Sequence, residues 1–166
     1  MSEQKNVKHP LAAILDENSK ILILGTMPSP KSRELQFYYA HPQNRFWPVM
    51  AAVLGEALPE DAAGKAAMLK RHGIALWDVL ASCDISGASD SSIRNAVPNG
   101  IASLIKKTNI KAVFTTGSTA YRYYRKFCEK DTGIAAVCLP SPSAANAKIT
   151  KEALISAYSI IKETLT

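Results

Sequence analysis

Ile21-Leu22-Ile23-Leu24 runs directly into Gly25-Thr26-Met27-Pro28-Ser29-Pro30, and this junction decides the fold. Four consecutive apolar residues, closed by a glycine and two prolines, read as a strand buried on both faces that ends in a rigid turn. Such a strand belongs in a parallel sheet, because only a sheet covered on both sides hides an unbroken apolar run. The glycine lets backbone approach a ligand closely, and the prolines hold the turn's φ angles.

The same signature recurs outward from this junction. Gly73-Ile74-Ala75-Leu76, Lys111-Ala112-Val113-Phe114-Thr115 and Ala135-Ala136-Val137-Cys138-Leu139 are short apolar runs, spaced too far apart for hairpins. Between them, Arg45 to Leu54, Asp61 to Arg71, Asn99 to Lys107 and Thr119 to Glu129 show helical spacing. A last helix is expected from Thr150, in N-cap position, to about Glu163. The βαβα alternation predicts an α/β fold, a three-layer α/β/α sandwich around a central four-stranded parallel sheet. With 166 residues, 47% of them hydrophobic, and no repeat or linker, the chain reads as one domain over 1–166.

Three segments stay irregular: Gly25 to Asn44, Trp77 to Asn99 and Pro140 to Ile149. Each leaves the carboxyl end of a strand, so all three are expected to meet at one edge of the sheet and form a cleft.

Composition narrows the classes of function. Charged residues make up 20% of the chain, and no apolar run approaches the roughly 18 residues of a membrane span. Met1 to Pro10 are polar without a signal-like stretch. A cytoplasmic, nucleoid-associated protein without membrane contact is expected. Cys83, Cys128 and Cys138 have no C-x-x-C spacing, which supports neither a disulfide framework nor a cysteine-held metal. A net charge of +6 and a pI near 9.3 favour polyanionic partners, although many proteins that never touch nucleic acid share this surplus. Neither G-x-G-x-x-G nor G-x-x-x-x-G-K-[ST] occurs, which counts against a nucleotide-binding domain built on Gly25 or Gly117.

The first loop continues through Gln36-Phe37-Tyr38-Tyr39-Ala40 to His41-Pro42-Gln43-Asn44-Arg45-Phe46-Trp47. Alone it reads equally as a tight βα connection, with Asn44 near a helix start and Phe46 and Trp47 in the core. The last loop is Leu139-Pro140-Ser141-Pro142-Ser143-Ala144-Ala145-Asn146-Ala147. Prolines stiffen it, and serine hydroxyls and backbone N–H groups can bond phosphate oxygens. Alone it is equally a plain Ser/Pro loop before a helix.

Taken together and in order, the Gly25 turn, Ala40-His41-Pro42-Gln43-Asn44-Arg45-Phe46-Trp47 and Leu139-Pro140-Ser141-Pro142-Ser143 resemble the mismatch-specific enzymes of the uracil-DNA glycosylase superfamily. Gly25-Thr26-Met27-Pro28-Ser29, Gln36-x-Tyr38-Tyr39-Ala40-His41-Pro42 and Asp90-Ser91-Ser92-Ile93-Arg94-Asn95 are similar to its hypoxanthine-DNA glycosylase (DNA-deoxyinosine glycosylase) branch. The likeness runs from about residue 20 to 163.

The resemblance implies a monofunctional glycosylase of base excision repair, acting on DNA that contains a deaminated base, with no metal, no cofactor and no obligate protein partner. The damaged nucleotide is rotated out of the duplex into a pocket. The resemblance puts Gly25, Thr26, Met27, Pro28 and Ser29 in the pocket wall, with Tyr39 against the base. His41 is a candidate proton donor, or a brace for its loop; Asp78 is a candidate for the base edge, or a plain loop or cap residue. Many relatives hold the attacking water with Asn or Asp where this chain has Met27, so the resemblance assigns catalysis to Asn44. Leu139 stands where some relatives have a histidine that helps uracil leave, which argues against efficient uracil excision and is compatible with a purine leaving group. Ser141, Pro142, Ser143, Gly117 and Ser118 would meet phosphates; Lys31, Arg33, Arg94 and Lys148 are candidates to add charge nearby, although each taken singly reads better as a solvated surface residue. Ala144, Ala145 and Asn146 would occupy the gap in the duplex, where Asn146 fills it or the wedge is weak. The competing readings are a uracil or mismatched-thymine glycosylase, and a non-catalytic DNA-binding module on the same fold.

Overall fold

The computed structural model describes residues 4–166, so Met1 to Glu3, which the single-domain and signal readings also take in, lie outside the described residues. Four parallel strands form the main sheet: β2 (Ile21–Gly25), β3 (Ile74–Asp78), β6 (Ala112–Thr116) and β7 (Ala136–Leu139), in the order β3-β2-β6-β7. Leu24 pairs with Trp77 on one side and Thr115 on the other, so β2 is central, and all five of its residues are buried. Side chains alternate across a strand. Ile21 and Ile23 therefore enter one core and Leu22 and Leu24 the other.

The first core holds α2 (Phe46–Leu54), α3 (Ala62–Arg71) and α7 (Lys151–Leu165), through Phe46, Met50, Met68, Leu69, Leu154 and Tyr158. The second holds α4 (Ile101–Lys106) and α5 (Ser118–Phe127), through Ile101, Ala120 and Tyr124, and a single turn, α6 (Glu129–Thr132), follows α5. This is the expected three-layer α/β/α arrangement. The helix boundaries follow from local chemistry. The Asp61 and Thr150 side chains accept the N–H groups of Gly64 and Ala153 and start α3 and α7, and Gly55 in the left-handed region ends α2.

Two segments read as irregular are structured. Within Gly25 to Asn44 lies a short helix, α1 (Pro30–Leu35), which starts because Ser29 accepts the N–H of Ser32 and Pro30 occupies its first position. Trp77 to Asn99 was expected to be one long loop. It instead carries β4 (Leu80–Ile85), a 3₁₀ turn (Asp90–Ser92) and β5 (Arg94–Pro98). With β1 (Lys5–Lys8) these make a second, antiparallel sheet in the order β1-β4-β5. None of the three has an apolar run. In β4 only Leu80, Cys83 and Ile85 are buried, a spacing broken where its register against β5 shifts, while β1 and β5 lie largely exposed. Such strands are defined by their partners rather than by their composition. Of the cysteines, Cys83 and Cys128 are buried and Cys138 is exposed on β7. No helix among the described residues is long and apolar enough to cross a membrane.

Candidate active site

From β2 the chain crosses to β3 on one side and later returns to β6 on the other, so the main sheet changes direction between β2 and β6. In open parallel sheets, ligands bind outside the carboxyl ends of the strands at this point. Gly25 ends β2 and Thr116 ends β6, and both line a cleft of about 160 Å³. Its other walls are Thr26 to Ser29, Tyr38 and Tyr39, Asn44, Asp78 and Ser141 to Ser143. Ile85, Gly87, Ala88 and Asp90 close it from the second sheet. An apolar cavity of about 150 Å³ is known to take a benzene ring, so this open cleft has the dimensions for one flat ring system.

Gly25 must be glycine here. A Cβ would stand 2.4 Å from Asp78 Oδ1 and 2.9 Å from the Tyr39 hydroxyl, closer than any carbon packs. The turn after it is tied to the β3–β4 junction, where Val79 and Leu80 donate backbone N–H to the carbonyls of Gly25 and Thr26. The N–H groups of Thr26 and Met27 donate to no acceptor among the described residues, which leaves them for a ligand.

Tyr39 adopts φ +51°, a left-handed conformation that costs about 1 kcal/mol or more for a bulky residue. Its ring offsets this by stacking on Phe46, centroids 4.1 Å apart and nearly parallel, and its hydroxyl bonds Thr116 Oγ1 at 2.8 Å. Burial, with Asp78 nearby, holds the phenol well above its ordinary pKa, so it stays neutral. Phe46 covers one face of the ring, while Tyr39 itself lines the cleft.

Asp78 is buried, and its carboxyl is pushed up by desolvation, opposed by the hydrogen bond from His9. Oδ2 receives that bond at 2.8 Å, while Oδ1 faces the Gly25 turn. Asn99 fixes the backbone here, since its amide donates to the carbonyls of Asp78 and Leu80 at 3.0 and 3.1 Å.

Asn44 precedes α2, and its Oδ1 accepts the N–H of Phe46 at 2.9 Å. That bond fixes which way the amide points. Nδ2 and the second lone pair of Oδ1 are left for a molecule in the cleft, enough to orient a water but not to deprotonate it.

His41, expected in the pocket, is exposed and absent from the cleft lining. Its Nδ1 accepts the N–H of Gln43 at 3.1 Å, so it braces its loop. Pro42 sits in the turn that Asn44 N–H closes on the His41 carbonyl at 2.9 Å, and His41, Pro42 and Gln43 are all exposed.

The 140–149 loop is organised by Arg45, whose part in the site had no signal beyond its place in the motif. Its guanidinium donates to the carbonyls of Ser143 and Asn146 at 3.0 Å and to that of Ile149, and its backbone N–H to Pro142 O at 3.0 Å. Ser141 Oγ and Ser143 Oγ accept the N–H groups of Ser143 and Ala145, which leaves their hydroxyl hydrogens for an anion. Asn146 turns its amide inward to Ser141 O at 3.1 Å, so it does not project, and the exposed tip is Ala144-Ala145. Gly117, at φ +95°, a conformation that favours glycine, lies beside Ser141 and leads into Ser118 at the exposed start of α5. Of the charges expected nearby, Arg33 is bonded to Pro28 O at 2.9 Å, Lys31 pairs with Glu34, and Arg94 bonds Ile93 O. Lys148 is exposed.

His9 and Thr116 escaped the sequence reading. Thr116 is the last residue of a strand, and the strand-end rule alone could have found it. His9 follows a polar stretch and carried no local signal.

Comparison with known proteins matches this arrangement. The sequence model of the uracil DNA glycosylase superfamily matches residues 13–161. A protein of Methanosarcina acetivorans named hypoxanthine DNA glycosylase is 34% identical over 149 residues, covering 87% of this chain and 92% of the relative. One of the same name from Methanosarcina barkeri is 33% identical over 118 residues, covering 70% and 75%. A solution NMR structure of a candidate uracil DNA glycosylase from M. acetivorans superposes with a TM-score of 0.78 at 29% identity, covering 93% of this chain and 98% of that one.

Proposed function

The chain belongs to the uracil DNA glycosylase superfamily, and we propose that it is a monofunctional DNA glycosylase that hydrolyses the bond between deoxyribose and hypoxanthine, the whole of residues 1–166 acting as one domain. The observation that carries this reading is the cleft at the sheet's switch point, where an aromatic face, a buried carboxylate and an oriented amide converge: Tyr39, Asp78 and Asn44. Two relatives named for hypoxanthine support the substrate.

In this reading a nucleotide rotates out of the duplex and its base stacks on the face of Tyr39 opposite Phe46. Deamination of adenine replaces an amine and a ring lone pair by a carbonyl and a ring N–H. The free N–H groups of Thr26 and Met27 suit the carbonyl, and Asp78 Oδ1 suits the ring N–H. As the glycosidic bond lengthens, negative charge grows on the departing base, and the same backbone donors stabilise it. Asn44 holds the attacking water, so catalysis rests on positioning and on leaving-group stabilisation rather than on a strong base. No lysine lines the cleft among the described residues, which favours hydrolysis without a Schiff base or strand cleavage. The hydroxyls of Ser141 and Ser143, with the entry to α5 at Gly117 and Ser118, contact phosphates. The small Ala144-Ala145 tip enters the vacated space without a bulky wedge, which favours bases whose pairing is already weak.

The test is incubation, with chelator present, of duplexes carrying one hypoxanthine, one uracil or one G·T mismatch, with abasic sites scored by alkaline cleavage. Hypoxanthine release is expected. Uracil or thymine release alone would move the chain to another specificity within the family, and duplex binding without any release would make it a binding module.

A further inference from the structure

The residue that makes Asp78 usable lies far from the cleft loops in sequence. His9 leaves β1 and is anchored on β4, its backbone N–H bonding Ala81 O at 2.7 Å. The segment after it is held down by Tyr38, whose hydroxyl donates to Ala12 O at 2.8 Å. The imidazole packs beside Tyr38 and edge-on to Trp77, and the His9 and Asp78 side chains are only 4% and 5% exposed.

The tautomer follows from the neighbours. Leu11 N–H donates to Nδ1 at 3.2 Å, so Nδ1 carries a lone pair and the ring proton sits on Nε2. Nε2–H then donates to Asp78 Oδ2 at 2.8 Å. A neutral donor satisfies one carboxylate oxygen without cancelling the charge, and it turns the other oxygen toward the Gly25 turn.

We propose that His9 is a positioning residue for base recognition: its Nε2–H orients Asp78 and favours its carboxylate form, so that Oδ1 accepts the ring N–H that deaminated bases have and adenine lacks. This rests on the glycosylase reading above. A carboxylate facing adenine's ring nitrogen would set lone pair against lone pair, and sites built to bond a polar hydrogen reject analogues lacking it strongly. Protonated Asp78 would become a donor and lose that preference. Burial drives Asp78 toward protonation and the His9 bond opposes it. Besides His9, the titratable groups around Asp78 are the phenols of Tyr38 and Tyr39, both raised by burial and neutral at working pH, and on another wall of the cleft the carboxyl of Asp90, which burial also raises and whose NMR titration is followed separately.

The sign is therefore fixed. Removing His9 leaves desolvation unopposed, Asp78 titrates at higher pH, and the acid limb of kcat/KM for hypoxanthine release moves to higher pH. His9→Gln, whose amide can donate from a similar position, should restore much of the parental profile, while His9→Ala should not. Carboxyl ¹³C NMR of Asp78 in the free proteins reports the same order without activity. In the unmutated protein, ¹⁵N NMR of the imidazole should show an unprotonated Nδ1 and a protonated Nε2, which needs no variant to fold. The opposite tautomer, or an Asp78 titration unchanged in His9→Ala, would overturn the role of His9 even if hypoxanthine is released. If the NMR shifts appear but the parent protein releases no base, the coupling stands and the glycosylase reading fails.

Discussion

Asn44 is the residue on which catalysis and stability can be separated by experiment. Its Oδ1 satisfies the first N–H of α2, while its remaining amide capacity lines the cleft. Asn44→Ala removes both. Loss of such a helix-start bond costs about 1 kcal/mol, which for a chain of this size lowers Tm by roughly 2–4 °C. Losing the water-orienting group should lower kcat for hypoxanthine release by about 100-fold, the usual penalty for a misplaced reactant. Asn44→Ser keeps an acceptor for Phe46 N–H but withdraws the amide from the cleft, so its Tm should stay near parental while kcat falls almost as far. Asn44→Asp keeps the bond and offers a carboxylate, and turnover should remain within about tenfold of parental. The assays are single-turnover base release under enzyme excess and thermal melting by circular dichroism. A serine variant that turns over at the parental rate would show that Asn44 only starts a helix, and the water would need another holder.

Arg45→Ala should loosen the 140–149 loop, since its guanidinium bonds four carbonyls there. A stability loss of about 1.5–3 kcal/mol is expected from bonds to a charged group, with weakened duplex affinity in fluorescence anisotropy; unchanged affinity would free the loop of its phosphate role. Tyr39→Ala should weaken binding of hypoxanthine-containing single strands by about 1–3 kcal/mol, the usual contribution of one stacked base, whereas Tyr39→Phe, which loses only the Thr116 bond, should keep most of it. Asp78→Asn should separate function from stability. Burial raises the Asp78 pKa above its ordinary value, so the native state holds that proton more tightly than the unfolded chain, and stability falls as pH rises through the interval between the two. The asparagine variant should therefore unfold at higher denaturant than the parent at pH 7, with the gap closing toward pH 4, while hypoxanthine release is lost. Equal stability at both pH values would contradict a strained buried carboxylate.

The sheet and its helices were legible because their signals are local. Ile21-Leu22-Ile23-Leu24 can hide only in a doubly covered strand, and Asp61 and Thr150 announce helix starts through bonds made within three residues. The convergence of three loops on one cleft followed from parallel connectivity alone, and the motif resemblance named the segments that line it. The second sheet was not legible. Lys5–Lys8 and Arg94–Pro98 are largely exposed strands without apolar runs, and they exist because β4 lies between them.

The sequence by itself determined the α/β class, the position of the cleft and the aromatic, amide and serine residues that reach it. Tertiary structure decided how each is used. It turned His41 outward and Asn146 inward, tied Tyr39 to Thr116 across 77 residues, set Arg45 under a loop about 100 residues away, and brought His9 to Asp78 across 69. The physical reason is range. Periodicity and capping are settled between neighbours in the chain, whereas a buried polar side chain must be satisfied by whatever group the folded backbone brings within about 3 Å of it.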